Sequence, residues 1–202
     1  MRDPDSATLI QQAMPHTKPL NDLLAQRWSP REFSDQPIDA GTLGSLFEAA
    51  RWGASCFNEQ PWRFVVATRN EPEQFARILA TLVPKNQEWA KSAWALGISA
   101  GKKTFSHNGA PNRFGIHDTG AALANIMLQA RSVGLYVHGM GGFDADKARR
   151  DFGIPEEYEV GAAFAIGYGE GNPAPPADRK RRPLSELVFG TEWGKNSTEI
   201  GL

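Results

Sequence analysis

Residues 58–64 read Asn58-Glu59-Gln60-Pro61-Trp62-Arg63-Phe64 and mark the passage from a loop into a strand. The loop half combines amide donors and acceptors with a proline that fixes the local backbone. The strand half begins the run Trp62–Thr68, which is rich in aromatic and β-branched residues. The loop amides suit the polar edge of a bound ring, although an ordinary connection with a core tryptophan fits these residues equally well.

A second short stretch, Arg27-Trp28-Ser29-Pro30-Arg31, lies about thirty residues earlier. It offers two fixed cations and a hydroxyl, and guanidinium groups present paired donors that suit phosphate oxygens. A solvated helix end is the alternative interpretation, because short basic segments are common. Taken alone, this stretch leaves both interpretations open.

Around these stretches the chain alternates helical and extended patterns. The predicted helices cover Leu20–Arg27, a segment capped by Asp39, a segment opened by Glu71 and stopped by Pro84, a long buried segment Thr119–Val133 capped by Asp118, and Asp144–Phe152. The predicted strands cover Trp62–Thr68, Ala93–Ala100, a stretch beginning at Gly134, and Glu159–Gly167. Residues 101–115 show no period, and we expect a mobile loop there. The class is therefore α+β or α/β.

Composition restricts the possible functions. The chain has 202 residues and a net charge of -1, with 22 Lys+Arg against 23 Asp+Glu. The overall electrostatic field therefore does not favour binding to nucleic acid or to an anionic membrane. Cys56 is the only cysteine, which excludes an internal disulfide or a multi-cysteine metal site. The histidines show no metal-ligand spacing, and structural roles are favoured for His117 and His138. No apolar run fits a signal peptide or a membrane span, so we expect a cytoplasmic protein.

The C-terminal part changes character after Gly167. Residues 169–176 are rich in glycine and proline and predict an extended linker. The run Arg179-Lys180-Arg181-Arg182 follows. From charge alone it is a solvated tail, a second phosphate clamp or a nucleic-acid patch, and the last lacks interleaved aromatic residues.

In their order along the chain, from Leu20 to beyond Pro183, these pieces resemble the FMN-dependent nitroreductase family. The resemblance implies a three-layer fold with a central mixed sheet flanked by helices. It also implies an intertwined homodimer with one FMN in each of two sites at the dimer interface. In that arrangement residues 1–18 form an N-terminal arm, residues 19–168 the FMN-binding domain, and residues 169–202 an extension that closes over the FMN phosphate.

By resemblance, the first basic stretch binds the cofactor. Arg27 and Ser29 correspond to phosphate and ribityl ligands, and Trp28 contributes backbone contacts. Arg31 corresponds to the cation at the pyrimidine end of the flavin, where positive charge near N1 and O2 stabilises the reduced ring. Asn86 corresponds to an asparagine that hydrogen-bonds the pyrimidine edge, although a helix cap is its other possible role.

The glycine-rich stretch before Asp144 resembles the family turn beside the flavin ring. Gly142 is assigned to the backbone amide that points at flavin N5, and Met140 to packing beside the ring. Gly141 stands where several members have a glutamate, so that carboxylate is absent here. Arg179 and Arg181 match the two cations that close over the phosphate.

Three residues are expected to reach the flavin from the other subunit: Ser55, Cys56 and Asn58. Cys56 stands where serine is frequent, so we interpret it as a small packing or hydrogen-bonding group and not as a nucleophile. Trp89 stands where some relatives have a lysine near the flavin pyrimidine. This difference indicates a different redox potential or a different acceptor.

The implied function is hydride transfer from NADH or NADPH to flavin N5 and then to an acceptor such as a nitroaromatic or a quinone, in a ping-pong sequence. The cofactor performs the chemistry, so no acid, base or metal from the protein is needed. No dinucleotide fingerprint selects between NADH and NADPH. A protein that stores or senses FMN without turnover would carry the same motifs and is the alternative.

Overall fold

The protein is described by a computed structural model that covers residues 18–196 and Glu199. These residues fall into two compact units. One unit is Leu20–Ala174, and the other combines residues 18–19 with the described part of 175–202. Residues 169–174, predicted to begin the extension, therefore belong to the larger unit. The predicted N-terminal arm lies outside the described residues except for Lys18.

The larger unit contains six helices and four strands among its described residues. The helices are α1 Asp22–Gln26, α2 Ala40–Arg51, α3 Pro72–Leu79, α4 Pro84–Ala90, α5 Gly115–Ser132 and α6 Ala145–Phe152. The strands are β1 Trp62–Thr68, β2 Ala95–Lys102, β3 Leu135–Met140 and β4 Tyr158–Tyr168. Short 3-10 turns occur at Cys56–Asn58 and, in the second unit, at Leu184–Glu186.

The sheet has the strand order β1-β2-β4-β3, so β1 and β3 are its edges. The α+β class is confirmed. All three pairings between these strands are antiparallel, whereas a mixed sheet was expected. The difference follows from the register: each neighbour runs in the opposite direction, and no described pair of strands provides the parallel pairing that a mixed sheet needs.

Helices cover both faces of the sheet and give the expected three layers. On the first face, α3, α4 and α6 pack over a core that includes Met140. On the second face, α2 and α5 pack over a core that includes Phe164. Side chains alternate between the faces along each strand: in β3, Tyr136 joins the first core and Val137 joins the second.

The predicted end of the helix before Pro84 was wrong. The helix that opens at Pro72 ends at Leu79, and Pro84 begins α4 instead of stopping α3. Proline lacks the amide proton that a first helical turn leaves unpaired, so it begins a helix as readily as it ends one.

Asp118 is not the cap of the long helix. α5 begins three residues earlier, at Gly115, so Asp118 lies inside its first turn with 5% exposure. Its carboxylate accepts a hydrogen bond from the backbone amide of Cys56 at 2.9 Å. The side chain therefore stabilises a neighbouring turn and not the end of its own helix. None of the helices in the described part of the chain is long and apolar enough to cross a bilayer.

Candidate functional site

The basic stretch 27–31 follows α1 and runs beside β3. The amide of Arg27 donates to Leu23 O and ends the helix. Nδ1 of His138, in β3, lies 2.8 Å from Pro30 O. A carbonyl oxygen only accepts, so Nδ1 carries the proton. This bond fixes the segment between Ser29, which is half-buried, and Arg31, which is exposed to solvent.

Aromatic rings pack around His138. The Trp89 ring of α4 lies with its centroid 4.4 Å from the imidazole, and Phe33 stacks on Trp89 at 6.4 Å. Burial lowers the pKa of His138; the nearby charge of Arg31 acts in the same direction, and the bond to Pro30 opposes it. The imidazole is therefore neutral at neutral pH. Trp89 Nε1 is buried and has no hydrogen-bond partner among the described residues.

The predicted ring-side glycines lie against the start of α4. The carbonyl of Gly142 accepts from the amide of Val83 and from Nδ2 of Asn86, both at 3.0 Å. Among the described hydrogen bonds the Gly142 amide donates none. A Cβ at Gly142 would lie 2.8 Å from Asn86 Nδ2, whereas a Cβ at Gly141 would meet nothing within 4 Å. Asn86 thus reaches the glycine turn, and the crowding at Gly142 comes from α4.

Trp28 and Met140 lie in the same region with different surroundings. Trp28 Nε1 donates to Pro173 O at 3.2 Å, and its ring meets Tyr136 edge to face at 6.2 Å. Met140 is only 3% exposed and belongs to the core of the first face. The first face therefore gathers the basic stretch, Asn86 and the two glycines around the end of β3.

The second predicted group lies in the turn between α2 and β1. The amide of Cys56 is held by Asp118, and the amide of Gln60 donates to Ser55 Oγ at 3.0 Å. Phe57, Asn58 and Gln60 have positive φ angles of 53°, 56° and 50°. Non-glycine residues rarely adopt this region, although asparagine is the most tolerant. Cys56 is a half-buried free thiol.

The two groups occupy opposite parts of the sheet. The basic stretch and the glycines lie at edge strand β3 on the first face, whereas the Ser55–Asn58 turn adjoins edge strand β1 and contacts α5 on the second face. Three strand spacings separate the edges, roughly 14 Å. Within one chain the structure brings the first group together and leaves the second group apart from it.

Arg179 and Arg181 belong to the second unit. There Arg181 Nη1 donates to Lys180 O at 2.8 Å, and Arg182 pairs with Glu186 at 3.7 Å. Their assignment to a phosphate remains a prediction. In the part of the chain that the structure describes, no group of three or more His, Cys, Asp or Glu residues could hold a metal ion.

Comparisons with known proteins identify the family and the fold of the chain. The model of the nitroreductase family matches residues 24–168, and the chain belongs to this family. Proteins of Archaeoglobus fulgidus and Ralstonia nicotianae, both named "Putative NADH dehydrogenase/NAD(P)H nitroreductase", are each 28% identical to it. The first match covers 72% of this chain and 83% of the relative, and the second covers 78% and 90%.

A solved structure described as "the oxidoreductase containing FMN" has a TM-score of 0.84 and 31% identity to this chain. The match covers 92% of this chain and 98% of that one. The predicted nitroreductase fold is therefore confirmed.

Sequence reasoning missed two features of the site. It gave His138 a structural role without a partner, and the structure supplies the partners: the imidazole joins the basic stretch to β3 and packs at a tilt against Trp89. It also missed the left-handed backbone at Phe57. The position of His138 beside the glycine turn was the only local signal for the first, and no sequence signal marks a phenylalanine with positive φ.

Proposed function

We propose that the protein binds FMN at a site shared by two copies of the chain. We further propose that it transfers hydride from NADH or NADPH to small-molecule acceptors such as nitroaromatics and quinones. One observation carries this proposal: Pro30 is bonded to His138 and Asn86 to Gly142, which gathers the basic stretch, an amide side chain and a free backbone amide at the end of β3.

The residues present fit this cofactor. Arg27 and Ser29 supply a cation and a hydroxyl of the kind that hold a phosphate and a ribityl chain. The Gly142 amide has no partner among the described residues and is available to flavin N5. The buried Nε1 of Trp89 is a further donor in this region without a described partner. A polar ring with several acceptors would satisfy such donors.

Bound FMN would supply the hydride chemistry at N5. Arg31 would place positive charge at the pyrimidine end, where negative charge accumulates on reduction. Asn86 would orient that edge while its amide also holds the glycine turn. Met140 would support the ring from the core side. Nicotinamide nucleotide and acceptor would use one exposed face of the ring in turn, and the protein would contribute orientation and polarisation.

The separation of the two groups supports a homodimer. Ser55, Cys56 and Asn58 lie by the opposite edge and face of the sheet from Arg27 and Arg31. A two-fold axis would place each turn against the basic stretch of the other copy and would use the same pair of surfaces twice. The relatives' names suggest NADH or NADPH as the donor.

The experiment compares Arg27→Ala and Arg31→Ala with Arg51→Ala, which removes an exposed arginine paired with Glu48 on α2. Loss of a charge-assisted phosphate contact should weaken FMN binding by about tenfold to a hundredfold in Arg27→Ala. Arg31→Ala should retain more FMN but should be reduced more slowly, and Arg51→Ala should match the wild type. Fluorescence titration measures FMN affinity, and anaerobic stopped-flow absorbance measures reduction by each nucleotide.

Wild-type protein that takes up no added FMN would overturn the proposal. If FMN binds tightly and neither nucleotide reduces it, the proposed hydride transfer is refuted. The alternative function, FMN storage or sensing without turnover, then replaces it. Reoxidation by a nitroaromatic and by a quinone, each mixed with prereduced protein, tests the proposed acceptors.

A further inference from the structure

The turn before β1 holds an aromatic side chain in an unfavourable position. Phe57 has a φ of 53° and is 79% exposed. A left-handed backbone at a non-glycine residue costs about 1–3 kcal/mol, and such strain clusters at functional sites. An exposed phenylalanine also leaves apolar surface in water. Phe57 belongs to neither of the two cores, so its position calls for another cause.

The conformation is held firmly by contacts from distant parts of the chain. On one side, Asp118 binds the amide of Cys56. On the other, the Glu59 carboxylate accepts from the amide of Ser106 at 2.9 Å and from its hydroxyl at 2.6 Å. These bonds, led by that of the Ser106 hydroxyl, hold the pKa of Glu59 below its usual range. Glu59 therefore joins the turn to the loop 103–114.

The loop 103–114 is itself ordered by backbone hydrogen bonds. Phe105 donates to Ala110 O at 2.8 Å, and Asn112 donates to Lys103 O at 2.7 Å. Thr104 and Pro111 form an isolated bridge between these bonds. This structure replaces the aperiodic loop that the sequence predicted, and it fixes where Phe105 and His107 lie.

Three rings meet where the turn and the loop are joined. Phe57 lies 5.7 Å from Phe105, with the ring planes at 86°, and 5.7 Å from His107. Phe105 and His107 lie 5.5 Å apart. Lys102 Nζ, bonded to Ser106 Oγ, places a charge beside them. The three rings form a small aromatic wall with polar neighbours, and most of the Phe57 ring remains open.

We propose that this aromatic wall binds the electron acceptor and selects planar aromatic compounds of the quinone and nitroaromatic class. The inference rests on the proposed function, since it places the wall beside the turn residues Ser55, Cys56 and Asn58. Offset or edge contact with an open ring favours a flat π system. Three rings with a charged neighbour match a compound of one or two fused rings.

The test compares three variants of the full-length protein loaded with FMN. Phe57→Leu keeps apolar volume but loses the ring, Phe57→Asn loses the ring and suits the left-handed backbone, and Phe57→Tyr keeps the ring as the matched control. The first readout is the affinity of menadione, a naphthoquinone, for the oxidised protein without any nucleotide, measured by calorimetry. The second is kcat/KM for menadione and for ferricyanide, which has no aromatic ring.

Phe57→Leu and Phe57→Asn should each weaken menadione binding by about three- to tenfold, the effect of one aromatic contact, while Phe57→Tyr should match the wild type. The loss in kcat/KM should lie in KM and should spare ferricyanide, FMN affinity and the rate of reduction by nucleotide. Equal losses for menadione and ferricyanide, unchanged menadione affinity in both variants, or dissociation of the dimer by Phe57→Leu would overturn the inference. Failure of the wild type to bind FMN or be reduced would instead count against the proposed function.

Discussion

Alanine substitution should destabilise the protein at one of the two adjacent glycines after β3 and leave its stability almost unchanged at the other. In Gly142→Ala the new Cβ would lie 2.8 Å from Asn86 Nδ2 and 3.1 Å from Val83 Cγ2, where ordinary contact begins at 3.4 Å. The Asn86 amide must withdraw and lose its 3.0 Å bond to Gly142 O. Loss of that bond together with overpacking should lower the free energy of unfolding by about 2 kcal/mol. Gly141→Ala enters open space and should change it by less than about 0.5 kcal/mol.

Urea denaturation of the cofactor-free proteins measures both values. The cause is tested by adding Asn86→Ala, which removes the amide that obstructs the new methyl group. Asn86→Ala with Gly142→Ala should then be about as stable as Asn86→Ala alone, because contacting residues are not additive. If Gly141→Ala is as destabilising as Gly142→Ala, or if the double variant shows the full sum of the single losses, the reasoning from the Asn86 contact is refuted.

Two further predictions concern His138 and the dimer. Burial lowers the pKa of His138 below its ordinary value of 6.5, so the unfolded chain takes up a proton that the folded chain resists, and the free energy of unfolding should fall as pH drops below 6.5 and be unaffected above it. Urea midpoints between pH 5 and pH 8 should decline less in His138→Asn, whose amide can still donate to Pro30 O; an identical decline would contradict this. Arg27→Ala and Asn58→Leu should each impair nucleotide oxidation, but mixing them through denaturation and refolding should restore activity, because a heterodimer keeps one site with both groups intact. No recovery in the mixture would place both groups in a site within one chain.

The sequence predicted the strands better than it predicted their pairing or the helix ends. The run Trp62–Thr68 is a strand with the predicted bounds, because its polar loop and its β-branched residues give consistent local signals. Asp118 shows the limit of such signals. A carboxylate beside an apolar run fits a helix cap, but its partner here is the amide of Cys56, 62 residues away, which the local pattern does not contain.

The candidate site shows the same contrast between local sequence signals and contacts made by distant residues. Residue types suited to an anion or a polar ring are visible in the stretch 27–31, since their chemistry is local. Their assembly depends on the bond between Pro30 and His138, which are 108 residues apart. The left-handed turn at Phe57 depends likewise on Glu59 reaching Ser106, 47 residues away. Backbone strain maintained by distant contacts has no local signature, and for that reason the aromatic wall was not predicted.

Strain in the turn and the division of the site have a common explanation in the proposed dimer. A turn that only connected α2 to β1 could relax toward ordinary φ values and bury Phe57 without loss. Instead, Asp118 and Glu59 both hold it in place, and the groups it would serve lie at the other edge and face of the sheet. If the flavin of a second copy lies against this turn, bonds within one chain fix in advance the half of a site that the other chain completes. Such preorganisation reduces the entropy lost when the cofactor and the acceptor bind.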